Sequence, residues 1–159
     1  MSPRPGPDPG SSAPSDAELR SILGDARTIA VVGLSSRPDR YSNEVARFLQ
    51  DRGYRIVPVN PNEDEVLGER AYPSLLDLPD DVPIDVVDVF RRSEETPGIA
   101  EQAVTRGAKV LWLQDGIVNE EARRIAEGAG LTVIMGVCIK RTSTRLDRDG
   151  GSGRIEEGG

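Results

Sequence analysis

The chain has 159 residues, 36% of them hydrophobic, and a formal net charge of −7 at pH 7. This length accommodates one domain, and the acidic balance argues against a general nucleic-acid binder. Histidine is absent, which excludes Ser-His-Asp and Cys-His catalysis and histidine metal sites. The single cysteine, Cys138, excludes an intramolecular disulfide.

Both ends of the chain have the composition of disordered segments. Residues 1–16 are rich in Pro, Gly and Ser, and residues 147–159 are rich in Gly and charge. Neither can bury enough apolar surface to offset the entropy of ordering it, so we predict a folded domain over 17–146. The N-terminus lacks a signal pattern, and no apolar run reaches membrane-spanning length. We therefore expect a cytoplasmic protein without a membrane partner.

Helical and strand patterns alternate along the domain. Unbroken apolar runs predict strands buried on both faces of a parallel sheet, and amphipathic stretches with polar caps predict helices. The predicted order is helix 16–24, strand 28–33, helix 42–52 capped by Ser42, strand 54–61, a helical turn at 74–78, strand 84–90, helix 93–107, strand 108–114, helix 119–130 and strand 131–135. This alternation predicts an α/β fold with a doubly wound, parallel, five-stranded sheet, for which we expect the strand order 3-2-1-4-5.

Ligands of such sheets bind at the carboxyl ends of the strands. The loop after the first strand reads GLSSRPDRYS, with Gly33 alone at the place of a glycine-rich fingerprint and Ser35 at its second position. Its hydroxyls and arginines favour phosphate binding, and the alternative is an ordinary connection with solvated arginines. The phosphate candidates are Gly33, Leu34, Ser35, Ser36, Arg37, Arg40 and Ser42.

The second strand ends in Asn60 and Pro61 rather than in the acid with which NAD-binding folds hold the ribose. A neutral amide does not repel a phosphorylated ribose. This position therefore argues against NAD and is compatible with NADP or coenzyme A.

Several stretches together resemble the small stand-alone CoA-binding proteins related to the N-terminal domain of the succinyl-CoA synthetase alpha subunit. They are IAVVGLSSRPDRYSNEVARFL, GYRIVPVNPNEDEVLGERAYPSL, IDVVDVFRRSEETP, GAKVLWLQDGIVNEEARRIAEGAGLTVIM and CIK. The resemblance implies a three-layered, single-domain Rossmann-like fold that binds coenzyme A or acyl-CoA.

By position, the resemblance assigns the pyrophosphate to the first loop and the adenosine end to Asn60 and Pro61. It places Phe90 and Arg91 on the adenine side, and Trp112, Gln114 and Gly116 on the wall nearer the pantetheine. For Phe90 and Trp112 the alternative is ordinary core packing.

The C-terminal motif departs from the family pattern. Met135, Cys138, Ile139 and Lys140 are present, but Gly136 replaces an acidic or amide residue, and Thr142 and Ser143 replace a Glu-His pair. Cys138 is either a small buried hydrophobe or a thiol that forms a mixed disulfide with the CoA thiol.

No nucleophile and base pair is visible, and Asp85, Asp88 and Asp115 carry no catalytic assignment. The sequence thus favours a non-catalytic CoA-binding carrier, sensor or accessory module. The alternatives are an enzyme that uses NADP or another nucleotide, and a subunit that completes a larger acyl-CoA enzyme. The sequence gives no oligomeric state.

Overall fold

The computed structural model describes residues 13–158, with side chains described over 13–149. The helices are α1 (Asp16–Asp25), α2 (Tyr41–Asp51), α3 (Thr96–Thr105), α4 (Glu120–Gly128) and α5 (Ile139–Gly158). The strands are β1 (Thr28–Val32), β2 (Arg55–Val59), β3 (Glu65–Val66), β4 (Glu69–Arg70), β5 (Val86–Val89), β6 (Val110–Asp115) and β7 (Thr132–Gly136). Strands β3 and β4 form a small antiparallel hairpin that the sequence did not indicate.

The five long strands form one parallel sheet in the order β2-β1-β5-β6-β7. The predicted order is therefore wrong, because the third long strand lies between β1 and β6 and not outside β2. The composition of the strands explains the difference. Strand β5 is buried along its whole length and needs neighbours on both sides, whereas β2 begins with the exposed Arg55 and contains Pro58. Proline lacks an N–H and suits an edge strand.

Helices cover both faces of the sheet, which confirms the predicted three-layered α/β fold. Along β1, Ala30 and Val32 pack into the core shared with α3 and α4, while Ile29 and Val31 pack into the core shared with α1, α2 and α5. The period of two in a strand sends neighbouring side chains to opposite faces. In this order the chain reverses direction across the sheet between β1 and β5, and the crevice at their carboxyl ends is where such folds bind ligands.

The helix starts agree only in part with the predicted caps. Ser15 and Asn119, which lie at the starts of two predicted helices, cap α1 and α4 by accepting hydrogen bonds from the amides of Glu18 and Ala122. Ser42 is not a cap, because α2 begins one residue earlier and its N-cap is Arg40, whose side chain makes no capping hydrogen bond. A short 3-10 turn over Ser93–Glu95 precedes α3.

The structure describes the two predicted disordered tails to different extents. Residues 1–12 and residue 159 lie outside the described residues. Helix α5 runs from Ile139 to Gly158, so its backbone is helical where the sequence indicated a disordered tail from 147 onward. The domain boundaries at 17 and 146 stay a prediction. Over the described part of the chain, no helix is both long and apolar enough to cross a membrane.

Candidate functional site

Gly33 brings the ends of β1 and β5 together at the reversal point of the sheet. Its φ of +89° favours glycine, and a Cβ built there would lie 2.8 Å from the carbonyl oxygen of Phe90. Its amide donates to the carbonyl of Val59 at 2.7 Å, which adds the end of β2 to the same junction. Glycine is therefore required at position 33, because the backbone of Phe90 lies too close for a side chain. The loop that follows Gly33 leaves the sheet beside the crevice.

The first loop is held by its own polar groups. The hydroxyl of Ser42 accepts from the amide of Ser35 at 3.1 Å, and the hydroxyl of Ser35 accepts from the amide of Arg37 at 3.1 Å. The buried amide of Asn43 donates to the carbonyl of Ser35 at 2.8 Å. Both serines act here as acceptors, so each hydroxyl proton remains able to donate to an anion. The sequence did not indicate the role of Asn43.

Helix α2 presents an open N-terminus to this loop. Asn43 and Glu44 bond back to the carbonyl of Arg40, and the N-cap side chain makes no hydrogen bond to the first turn. The unsatisfied amides of a first turn and the helix dipole together favour bound anions. Arg37 and Arg40 are exposed beside this end, with Arg37 3.5 Å from Asp39.

A carboxylate already contacts the loop. Oε2 of Glu63, in the segment after β2, accepts from the amide of Ser36 at 2.9 Å. It occupies one backbone donor of the loop, and this contact between two loops has no signal in the sequence.

Asn60 fixes the end of β2 to the first loop. Its Nδ2 donates to the carbonyl of Leu34 at 3.0 Å, and its Oδ1 accepts from the amide of Asn62 at 2.9 Å. Asn60 and Leu34 are both buried. Both polar atoms of the Asn60 carboxamide thus form hydrogen bonds within the protein. The next residue, Pro61, is exposed.

A cavity of about 190 Å³ opens between the carboxyl ends of β1, β2 and β5 and the start of α3. It brings together the predicted residues Gly33, Pro61 and Arg91, and it adds Ser74, Glu95 and Gln102, which sequence reasoning missed. Arg91 donates twice to Oε1 of Glu95, at 3.0 and 2.7 Å. Hydrogen bonds from Arg91 and then Arg92 hold the pKa of Glu95 below its usual range.

Phe90 packs against the core on the face of the sheet that α2 and α5 cover. Its ring meets that of Tyr41 edge to face, with centroids 6.0 Å apart at 74°. The Tyr41 hydroxyl in turn donates to the sulfur of Cys138. Burial, and then that hydrogen bond, raises the pKa of Tyr41, so its hydroxyl stays protonated at neutral pH.

Trp112 and Gln114 do not line the crevice. Trp112 is fully buried, and its Nε1 donates to the carbonyl of Val137 at 2.9 Å. Gln114 is also buried, and its Oε1 accepts from the amide of Ile139 at 3.1 Å. Both fix the connection from β7 to α5. For Trp112, the structure agrees with the core-packing alternative.

Gly116 and Cys138 complete the predicted set. Gly116 has a φ of +80° in the turn after β6, and a Cβ built there would meet no atom within 4 Å. Cys138 is buried directly before α5, and its sulfur also accepts from the amide of Arg141 at 3.5 Å. Among the described residues, no cluster of acidic and cysteine side chains is suited to hold a metal ion.

Comparisons with known proteins cover most of the domain. Residues 27–144 match a protein-family model described as a CoA binding domain. An uncharacterized protein of Bacillus subtilis, YneT, is 54% identical over 127 residues, which is 80% of this chain and 93% of that protein. A hypothetical protein from Pyrococcus horikoshii has 40% identity and a TM-score of 0.81, covering 92% of this chain and 98% of that one.

Larger enzymes contain a similar region. The alpha subunit of acetate–CoA ligase (ADP-forming) II from Pyrococcus furiosus is 30% identical over 131 residues. The similar region covers 76% of this chain and only 28% of that subunit.

Proposed function

Because the chain belongs to the CoA-binding domain family, we propose that it binds coenzyme A or acyl-CoA at the carboxyl ends of the sheet, as a carrier, sensor or accessory module. The single observation that carries the proposal is the uncapped N-terminus of α2 behind the Gly33–Ser42 loop. Backbone amides and a helix dipole directed at one point form a phosphate site without a glycine-rich fingerprint.

The pyrophosphate would lie against this loop. The hydroxyl protons of Ser35 and Ser42 and the amides of α2 that precede Asn43 supply neutral donors. Arg37 and Arg40 supply charge. The Glu63 carboxylate would have to release the Ser36 amide as the phosphate arrives. This exchange replaces one anion by another at the same donor.

The adenosine end would occupy the cavity lined by Gly33, Pro61 and Arg91. No acid follows β2 at the position of Asn60, so the end of β2 does not itself repel a phosphorylated ribose, and Glu95 is the carboxylate that lines this cavity. Arg91 could pair with a ligand phosphate by releasing Glu95, its present partner.

A second candidate role is that of a subunit completing a larger acyl-CoA enzyme. The similarity to an alpha subunit of an acetate–CoA ligase favours it. Co-purification of the chain with a separate ligase subunit would support this role. An enzyme using NADP or another nucleotide on the same fold is the remaining alternative.

Calorimetric titration of the full chain with CoA, acetyl-CoA, NADP and NAD tests the proposal. We expect saturable binding of CoA and acetyl-CoA and none of NAD. Micromolar binding of NADP together with no binding of CoA would overturn it.

A further inference from the structure

The cavity at the carboxyl ends of β1, β2 and β5 has a largely apolar lining, formed by Val32, Val59, Pro61, Pro73 and Ile99. Its volume of about 190 Å³ is below the roughly 300–1,000 Å³ of pockets that enclose drug-sized ligands, so it holds one part of a molecule as large as CoA. The flat, uncharged part of CoA is its adenine base. Apolar walls suit that base better than they suit the phosphates, which are costly to remove from water.

Helix α3 contributes one side of its surface to this cavity. Glu95, the N-cap of α3, is followed by Ile99 and Gln102 at spacings of four and three residues, which places the three side chains on the same side of the helix. All three line the cavity, and Ile99 also packs against the hydrophobic core. Gln102 is half-buried, so an amide side chain borders an otherwise apolar wall.

The other polar side chains of the cavity already have partners. Arg91 and Glu95 are bonded to each other, and the hydroxyl of Ser74 donates to Asp77 at 2.9 Å. The carboxamide of Gln102 forms no hydrogen bond with any residue that the structure describes. Gln102 therefore offers the cavity a donor, Nε2, and an acceptor, Oε1, at the same time.

This pair of atoms matches one edge of adenine. A glutamine carboxamide accepts from the 6-amino group of adenine through Oε1 and donates to the neighbouring ring nitrogen N7 through Nε2, as it does to adenine in nucleic acids. Phe90, the sequence candidate for the adenine side, does not line this cavity.

We propose that Gln102 recognises the adenine base of bound CoA, with the base held between the apolar walls of this cavity. Gln102 thereby determines which base the protein accepts, while the phosphate loop binds the pyrophosphate. This proposal rests on the proposed CoA-binding function and assigns the part of the site that recognises the base.

Calorimetric titration of the full chain with CoA and with a CoA analogue that carries purine in place of adenine tests the proposal, because the analogue lacks only the 6-amino group. We expect the wild type to bind CoA about tenfold more tightly than the analogue. In Gln102→Ala the two affinities should agree within about twofold. Alanine is a good helix former, so α3 should stay folded, and a thermal melt of the same preparation checks this.

Glu101→Ala is the matched control, since Glu101 is the exposed neighbour of Gln102 on α3 and does not line the cavity. This variant should keep the wild-type preference for CoA over the analogue. Loss of the preference in Glu101→Ala, or its survival in Gln102→Ala, would overturn the role of Gln102.

The same titrations separate this proposal from the proposed function. A wild type that binds CoA and the analogue equally well overturns the role of Gln102 and leaves CoA binding intact. A wild type that binds neither compound overturns both proposals.

Discussion

The carbonyl oxygen of Phe90 lies 2.8 Å from the position that a Cβ on Gly33 would occupy. The two residues end neighbouring strands, β1 and β5, and the amide of Phe90 donates to the carbonyl of Val32 at 2.8 Å. The ladder thus continues to the last residue before the loop, and the crevice begins where these strands separate. Gly33 is needed for this junction whether or not it touches a ligand.

Gly33→Ala should lower the free energy of unfolding by about 3 kcal/mol, because the methyl group would clash with the Phe90 carbonyl while the backbone stays at positive φ. Thermal melts should show a loss of roughly 10 °C. Gly53→Ala is the matched control, since Gly53 has a φ of +99° and no atom within 4 Å of the built Cβ. It should cost only about 1 kcal/mol. Equal losses in the two variants would contradict the clash.

Sequence patterns predicted the five long strands and the first four helices, because each strand is mainly apolar and each helix has one apolar face. The strand order was not predictable from local pattern, since it depends on which strand has neighbours on both sides. Helix α5 was missed because Ile139 and Leu146 are its only fully apolar buried anchors over 139–149, in a segment otherwise rich in charge.

The candidate site, like the fold, was predicted from the sequence only in part. Gly33, Pro61 and Arg91 were predicted from chain position at strand ends and do meet at one cavity. Trp112 and Gln114 were assigned to the same edge, but alternation along β6 directs both toward α5, where their polar atoms bond to backbone. The contact of Glu63 with Ser36 joins two loops and depends on tertiary structure alone.

Replacing both Arg37 and Arg40 with alanine should weaken CoA binding about 10- to 100-fold, since two charged hydrogen bonds to phosphate from exposed, solvent-screened side chains contribute about 1.5–3 kcal/mol together. Both side chains are exposed, so the melting temperature should hardly change. The double variant Arg55→Ala with Arg124→Ala removes the same charge from exposed positions elsewhere. Calorimetry should find its affinity near that of the wild type. Equal losses of CoA affinity in both double variants would show that net charge alone, and not these two arginines, causes the effect.

Trp112→Phe should destabilise the fold and leave CoA affinity within about twofold. The change removes the hydrogen bond to the Val137 carbonyl and leaves space in a fully buried position, at a cost of about 2–4 kcal/mol. Denaturant unfolding and CoA titration of the same preparation measure the two effects. A large loss of CoA affinity without a loss of stability would indicate instead that Trp112 contacts the pantetheine arm.

Two aspartates at β5 should give stability opposite dependences on pH. Asp88 is fully buried, neither of its oxygens has a hydrogen-bond partner within the described residues, and burial raises its pKa well above the usual range. Burial also acts to raise the pKa of Asp85, but hydrogen bonds from the amides of Thr28 and Arg27, at 2.9 and 2.8 Å, and the nearby Lys109 outweigh it and lower the pKa.

A raised folded-state pKa means that the stability associated with protonated Asp88 is complete below the unfolded pKa of about 3.9 and is lost as pH rises. Asp88→Asn carries no such titration, so it should gain stability relative to the wild type from pH 4 upward, by on the order of 1–3 kcal/mol near pH 8. For Asp85 the sign is reversed, because a lowered pKa gives stability that is present above about pH 4 and lost on acidification through the folded-state pKa.

Asp85→Asn should therefore lose about 1–2 kcal/mol at pH 7 and approach the wild type near pH 2. Urea unfolding of the wild type and the two variants between pH 2 and 8, with each midpoint converted to a free energy, measures all three curves. Asp88→Asn that is less stable than the wild type at pH 8 would show that the Asp88 carboxylate has a favourable partner. Parallel curves for the wild type and Asp85→Asn would show that the two amide contacts do not favour the ionised carboxylate.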